Sequence, residues 1–214
     1  MLVFAMVAHE FAHAVVAHRE GDDTAYMLGR VTLNPLPHID PWMSIFLPLL
    51  LFIGSHGAFT FGGARPVPVN PRKFRNFRRG DILVSAAGVA TNFVLAFVWA
   101  LVYTLLGLAA RAVPGGAEVL ADAQQMVFYG IWINLLLCFF NLIPIPPLDG
   151  SHLLYHALPP RLGLAYRRIA RVGYLPLLAL LFFFPRVTAL LLTPATSLLA
   201  LLTSWVRPFT VALG

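Results

Sequence analysis

The chain has 214 residues, of which 59% are hydrophobic and 11% charged, and its net charge is +6. Soluble domains average roughly 45–50% apolar and about 25% charged residues, so a soluble protein is excluded and an integral membrane protein is predicted. The length suits one membrane-embedded domain over residues 1–214, and we expect an all-α fold with four to six membrane segments of about 20 residues. The basic stretches adjoin apolar spans, which indicates a topology signal and no nucleic-acid partner.

The first predicted element is an apolar helix, Met1 to His18, that carries the pattern H-E-x-x-H. Helical residues four apart share a face, with Cβ atoms about 5–6 Å apart. His9 and His13 can therefore bind one ion, with Glu10 beside it. Charge inside an apolar span is costly and by default signals function. Only eight residues precede His9, which is a short stretch for a membrane helix. The sequence therefore leaves open whether a further segment lies upstream of Met1.

The region from residue 19 to residue 80 alternates between polar and apolar stretches. Residues 41–61 are apolar but interrupted by Pro48 and by the cluster that begins at Gly54. The stretch 62–80 holds six basic residues and no acid, which predicts a cytoplasmic location. We expect the polar stretch 19–40 on the same side, so residues 41–61 should enter and leave as a re-entrant hairpin. A plain membrane span is the alternative.

Two long apolar spans follow, at 82–110 and 125–148. The first carries Asn92 in its middle, and the second leads directly into Asp149. With loop residues set aside, Glu10 and Asp149 are the only acidic residues embedded in, or next to, the long apolar runs. The polar loop between the two spans has one arginine and two acids and is expected outside, which puts Asp149 near the cytoplasmic end of its span.

The tail is predicted to be the variable part of the chain. Prolines break its apolar run 172–206, so the sequence leaves open one span or a tight pair. We expect a catalytic core over about residues 1–158 and a variable tail over 159–214.

A first helix running inward would bring His13 to the depth of Asp149, which places the site nearer the cytoplasmic face.

The chemistry predicted from these residues is metal-assisted hydrolysis. A catalytic zinc takes three protein ligands and keeps one position open, and His9, His13 and Asp149 can supply the three. Zinc activates a water, and Glu10 can accept its proton and deliver it to the leaving amine. Asn92 can stabilise the oxyanion or form an interhelical hydrogen bond. One Zn²⁺ per chain is therefore expected.

The motifs resemble those of the site-2 protease family of zinc intramembrane proteases. The resemblance lies in H-E-F-A-H and in N-L-I-P-I-P-P-L-D-G, and G-R-V-T-L-N-P and A-R-P-V-P-V-N-P are similar to a compact bacterial branch without a PDZ domain. It covers roughly residues 5–155 and implies His9, His13 and Asp149 as ligands and Glu10 as catalytic. It also implies cleavage within or next to membrane helices. Val89 stands where the family usually has proline.

The favoured hypothesis is thus an intramembrane zinc metalloprotease of the plasma membrane, acting on transmembrane proteins within the lipid bilayer. The alternative is a catalytically inactive zinc-binding scaffold, against which the retained Glu10 argues because a structural site needs no base. The sequence leaves open the substrate, the scissile bond and the oligomeric state.

Several polar residues outside the metal motif also receive an interpretation. In the stretch 64–69, successive residues are expected to face opposite edges of an extended strand, and its two prolines remove N–H donors from one edge only. The N–H groups of Arg65, Val67 and Val69 on the other edge are therefore expected to be available for strand addition by an unwound substrate. His38 is expected in a loop or at the membrane interface.

Overall fold

The computed structural model describes residues 1–54, 56–57, 62–112 and 116–211. Every regular element in these ranges is helical, which confirms the predicted all-α fold. The chain divides into two compact units. We call residues 6–88 the N-terminal unit, and residues 1–5 with 89–214 the C-terminal unit.

The α-helices are α1 (Leu2–Glu20), α2 (Thr24–Met27), α3 (Leu47–Gly54), α4 (Phe77–Ala112), α5 (Ala117–Asn141), α6 (Asp149–Ala157), α7 (Pro160–Arg167), α8 (Leu175–Phe183), α9 (Pro185–Leu191) and α10 (Thr193–Val206). A π-helix, Pro41–Phe46, leads into α3. The 3₁₀ segments are Leu36–His38, Pro71–Lys73, Ile169–Val172 and Arg207–Phe209.

In the N-terminal unit, small and β-branched side chains pack the residues after α1 back onto that helix. Ala14, Ala25 and Val67 form one buried cluster, and a second is formed by Ala17, Phe74 and Val84. The chain leaves α1 through Gly21, whose φ of +112° is a conformation that favours glycine. These small contacts bring the stretch that follows α3 alongside the first helix.

The apolar stretch 41–61 begins as a hairpin. Its helix runs through Pro48, with only a change from π to α geometry, so the break expected there is absent, whereas the break expected at Gly54 is confirmed. Beyond the helix, the Gly63 N–H donates to the Met43 carbonyl at 3.0 Å, and the Ser44 hydroxyl donates to the Gly63 carbonyl at 2.7 Å. The chain has therefore returned to the start of the helix by residue 63.

The C-terminal unit is built around α4, α5 and α10. Its core contains the fully buried side chains of Ile131, Leu135 and Leu202. Gln124 joins the elements at one end, because its amide donates to the Tyr103 and Phe209 carbonyls at 2.9 and 2.8 Å. Helix α5 begins at Ala117, upstream of the apolar run that predicted it.

Two described helices are long and apolar enough to cross a membrane, α4 with 36 residues and α5 with 25. A third is added if the pair of helices over 185–209, bent by 48°, counts as one span. The sequence predicted four to six. The difference arises because α1 is rich in polar residues and the apolar helix Pro41–Gly54 is short. The chain is a membrane protein with two or three such helices among its described residues.

Candidate metal centre

Two buried histidines face each other on α1. His9 and His13 are one helical turn apart, and their side chains are 7% and 8% exposed. Their rings are nearly perpendicular, with centroids 4.5 Å apart, and their Nε2 atoms lie 2.9 Å from each other. The spacing of the H-E-x-x-H pattern therefore brings two nitrogen donors to one point, as predicted.

The orientation of His13 is set by a carbonyl from α4. Its Nδ1 lies 2.7 Å from the Val84 oxygen. A carbonyl can only accept, so Nδ1 carries the proton and Nε2 keeps its lone pair for a metal. Zinc-binding histidines commonly donate a hydrogen bond from their second ring N–H to such an acceptor. This bond fixes the tautomer and the orientation of the ring.

Gly88 lets α4 approach these rings. A Cβ atom built at Gly88 would come 2.5 Å from His9 Cε1 and 2.6 Å from His13 Nε2. Such distances are too short for any side chain, so only glycine fits at this position. Val84 and Gly88 are one turn apart on α4, and the same face of that helix both orients and closes over the histidine pair.

The donor set fits zinc. Two Zn–N bonds of about 2.05 Å at a tetrahedral angle would separate the nitrogens by about 3.3 Å, within a few tenths of an ångström of the separation found here. Two imidazoles are borderline ligands that suit zinc, and they leave positions for a carboxylate and for the reacting water. His9 and His13 are thus able to hold half of a catalytic zinc site.

Glu10 lies beside the histidines and is held by the backbone. The Val67 N–H donates to its Oε2 atom at 2.7 Å, and the Arg65 N–H donates to the His38 carbonyl at 2.7 Å. The expectation that both N–H groups are available to a substrate is therefore wrong. The half-buried Glu10 has its second carboxylate oxygen, Oε1, for chemistry.

Cations lie near this carboxylate. Partial burial, and then the charge of Arg65, hold the pKa of Arg30 below its usual range, while the negative charge of Glu10 acts in the opposite direction. Arg30 also donates to the Pro37 carbonyl. The surroundings of Glu10 therefore carry positive charge.

Asp149 is the first residue of α6, in the C-terminal unit. It is half-buried and follows a tight turn in which a Cβ atom at Gly150 would stand 2.2 Å from the Leu142 carbonyl oxygen. The turn leads directly into α6, in whose first turn the Ser151 N–H donates to the Leu148 carbonyl at 3.0 Å. A residue at this point has a fixed backbone. Its assignment as the third ligand remains a prediction.

Asn92 is fully buried within the C-terminal unit. Its amide nitrogen donates to the Asn134 side-chain oxygen at 2.9 Å and to the Ala5 carbonyl at 3.3 Å. Asn134 in turn donates to the Gly130 carbonyl at 2.8 Å. These bonds are those of the interhelical alternative, and the catalytic role predicted for Asn92 stays a prediction.

Four features of this region were not predicted from the sequence. Val84 and Gly88 were not predicted as neighbours of the histidines. Asp22 lies in the polar stretch 19–40, and its carboxylate is fully buried, which was not predicted. His38 lies in the short 3₁₀ segment of the connection after α2, where a loop residue was expected, but it is buried, and its Nε2 donates to the Thr32 carbonyl at 3.1 Å.

Comparison with known proteins shows similarity to zinc metallopeptidases. The profile of peptidase family M50 matches residues 1–184. The chain is 39% identical over 183 residues to the Bacillus subtilis protein named "Putative zinc metalloprotease YwhC", a match covering 84% of this chain and 77% of the relative. It is 35% identical over 166 residues to "Putative zinc metalloprotease Rip2" of Mycolicibacterium smegmatis, covering 75% of this chain and 55% of the relative.

A more distant relative is "Putative zinc metalloprotease Rip3" of Mycobacterium tuberculosis, 29% identical over 187 residues, with 84% of this chain and 37% of the relative covered. The chain thus spans most of the Bacillus protein but about half or less of the two mycobacterial ones. No solved structure matches this chain.

Proposed function

Because this chain belongs to peptidase family M50, the site-2 protease family, we propose that it is a zinc-dependent endopeptidase that hydrolyses peptide bonds within or beside the transmembrane segments of other membrane proteins. The family and the names of the relatives indicate a zinc metallopeptidase. The intramembrane site of cleavage and the transmembrane nature of the substrate are the further steps of this proposal.

The observation that carries the proposal is the paired arrangement of His9 and His13. Their Nε2 atoms are 2.9 Å apart, and the bond from His13 to Val84 directs one lone pair toward the shared point. Two buried imidazoles are oriented in this way and lie adjacent to a carboxylate. They are suited to hold a metal ion next to a general base.

We assign His9, His13 and Asp149 as the ligands of one Zn²⁺ ion. When bound, zinc supplies a Lewis acid that polarises a carbonyl and makes water nucleophilic near neutral pH. Asp149 would add a negative charge to two neutral imidazoles. The fixed backbone at the start of α6 supports this role, since a ligand must be held in place.

Glu10 is the proposed proton carrier. Its Oε2 atom is bound to the Val67 N–H, and Oε1 would take a proton from the attacking water and pass it to the leaving amine. Asn92 is proposed as a donor to the developing oxyanion. In that role it would give up one of its two present acceptors, on Asn134 and Ala5.

The proposed setting is the plasma membrane, with the site nearer the cytoplasmic face. The basic residues between 65 and 79 support this side. The return of the chain from Gly63 to Met43 supports a re-entrant hairpin, because both of its ends then lie together. We propose four to six membrane segments in total. This number counts α1 and the hairpin in addition to the helices that are long and apolar enough to cross a membrane on their own.

The test compares the wild-type protein with Glu10→Gln, each expressed in cells that contain no other protease with this activity. New N-termini are mapped across membrane proteins by mass spectrometry, and zinc is measured in the purified chains. We expect new N-termini inside or next to transmembrane segments with wild type only, and equal zinc in both. Zinc without any Glu10-dependent cleavage would replace the proposal by the zinc-binding scaffold.

A further inference from the structure

The extended segment, residues 64–70, is fixed at three points by its own N–H groups. Arg65 donates to the His38 carbonyl at 2.7 Å, Val67 donates to Glu10 Oε2 at 2.7 Å, and Asn70 donates to Asp22 Oδ2 at 2.6 Å. Two of the three acceptors are carboxylates that belong to α1 or to the turn just after it. The middle one is the proposed base.

The sequence around Val67 singles out one donor. Pro66 and Pro68 have no N–H and fix φ near −65°, so across these three residues only Val67 can donate. Its side chain is 8% exposed and packs against Ala14 and Ala25. The two flanking prolines and the buried side chain of Val67 therefore hold its N–H in place next to Glu10.

A bond of this kind restricts the base. An N–H donating to a carboxylate is a charge-assisted hydrogen bond, about twice as strong as a neutral one. It fixes one oxygen of a side chain that otherwise has three rotatable bonds, and it leaves Oε1 in a defined direction. Orientation of a reacting group within fractions of an ångström is a large part of catalysis.

Asp22 anchors the far end of the segment. Its carboxylate is fully buried, and besides Asn70 it accepts from the Thr24 N–H at 3.0 Å and from the Thr24 hydroxyl at 2.5 Å. A buried carboxylate with three donors is costly to disturb. Through Asn70, it fixes the register in which Val67 meets Glu10.

We propose that the backbone N–H of Val67 positions Glu10 for proton transfer, and that Asp22 is a positioning residue that acts through Asn70. This inference rests on the proposed function, because it takes Glu10 as the base. It replaces the strand-addition role expected for the Val67 N–H with a role inside the enzyme. Neither Val67 nor Asp22 touches the substrate in this scheme.

The first test removes a single N–H. Full-length protein is made with the α-hydroxy analogue of valine at position 67, which replaces the N–H by an ester oxygen, and with the same change at Val69 as a matched control. With a substrate identified by the Glu10-dependent cleavage above, the ester at 67 should lower kcat roughly ten- to hundredfold. KM should stay within about twofold of wild type, zinc content should be unchanged, and the ester at 69 should retain wild-type kcat.

The outcomes separate the possibilities. An unchanged kcat with the ester at 67 would overturn the inference, while loss of all cleavage in Glu10→Gln would still uphold the proposed function. A higher KM at constant kcat would also overturn it, because the N–H would then be binding substrate. An ester at 69 that lowers kcat equally would point to general damage and would reject the specific role of Val67.

The second test concerns Asp22. In Asp22→Asn, an amide group can stand where Oδ2 now accepts from Asn70, so kcat should fall with KM and zinc content unchanged. An ester at Asn70, which leaves Asp22 intact, should act in the same way and covers the case in which Asp22→Asn does not fold. Combining either change with the ester at 67 should add little further loss, because both act on the same contact with Glu10. Fully additive losses would show that Asp22 acts elsewhere.

Discussion

Gly88 lies so close to His13 that a Cβ atom added to it would stand 2.6 Å from the histidine Nε2. The nitrogen that faces Gly88 is the one we assign to the metal. Residue 88 therefore has no room for a side chain without displacing a ligand, and the contact links the packing of α4 to metal binding.

Gly88→Ala should abolish most zinc binding while leaving a helical, membrane-inserted protein. The added methyl group would meet both imidazoles at distances that real Cβ atoms do not adopt. Zinc per purified chain is measured by mass spectrometry of the metal. Gly63→Ala is the control, because nothing lies within 4 Å of a Cβ built there. Full zinc occupancy in Gly88→Ala would contradict the described packing.

The proposed ligand set predicts which side chains zinc needs. His13→Gln and Asp149→Asn should each lose most of their zinc, because a catalytic site has only three protein ligands. His152→Gln, three residues beyond Asp149, is the matched control and should keep its zinc. If Asp149→Asn retained zinc at the wild-type level after dialysis against a weak chelator, the third ligand would have to be sought elsewhere.

Asn92→Ala should destabilise the C-terminal unit. The change deprives the Asn134 oxygen of its donor in a fully buried position, and an unsatisfied buried polar group costs about 1–3 kcal/mol. Thermal unfolding in detergent should therefore show a lower Tm. A variant with wild-type Tm and a greatly reduced kcat would instead support the oxyanion role, and the two outcomes are distinguished by measuring both quantities on one preparation.

The Asp23–Lys73 ion pair predicts a pH dependence of stability. The hydrogen bond from the Lys73 ammonium, 2.5 Å away, and then its charge hold the pKa of Asp23 below its ordinary 3.8. Because this pKa is lowered in the folded protein, the pair stabilises the fold above pH 3.8. This stabilisation is lost as the pH falls through the pKa of Asp23 in the folded state. The difference in Tm between wild type and Asp23→Asn should thus shrink below pH 3.8. It should also shrink in high salt, because both groups are exposed.

The same pair makes the opposite prediction at high pH. Asp23 raises the pKa of Lys73 above its ordinary 10.5, so its contribution is present below pH 10.5 and is lost as pH rises through the folded value. Lys73→Gln should remove this dependence. A Tm difference that is constant across both ranges would show that the pair contributes nothing measurable, as many exposed pairs do.

The re-entrant hairpin predicts that residues on either side of it face the same compartment. Arg30→Cys and Arg75→Cys should both react with a membrane-impermeant thiol reagent added from the cytoplasmic side. The single native cysteine, Cys138, is buried and should give little background. Labelling of the two positions from opposite sides would exclude the hairpin and establish a plain span.

The metal motif was readable from the sequence because it depends on helical spacing alone. His9, Glu10 and His13 are local to one helix, and so is their common face. Val84 and Gly88 were not predicted because their contact with the histidines depends on the packing of α4, which no local pattern encodes. Small residues in an apolar helix are common, and nothing in the sequence distinguishes Gly88 from Gly107.

The extended segment illustrates the same limit in a second way. Alternation and the two prolines did predict an extended backbone with donors on one edge. What those donors bind depends on which neighbour lies along that edge, and Val67 meets Glu10 instead of solvent. The burial of Asp22 could not be predicted for a similar reason. A short run of acids after a helix usually lies in water, whereas three donors here make the burial of this carboxylate tolerable.

The bond between His13 and Val84 has a consequence for biosynthesis. The two residues are 71 positions apart, so the ribosome completes His13 well before its acceptor exists. At about 5–20 residues per second, the interval is roughly 4–14 s. During that time the first helix has its imidazoles but not the partner that orients them. Tight zinc loading should therefore follow the insertion of α4, and a nascent chain stalled before residue 84 should not retain the ion.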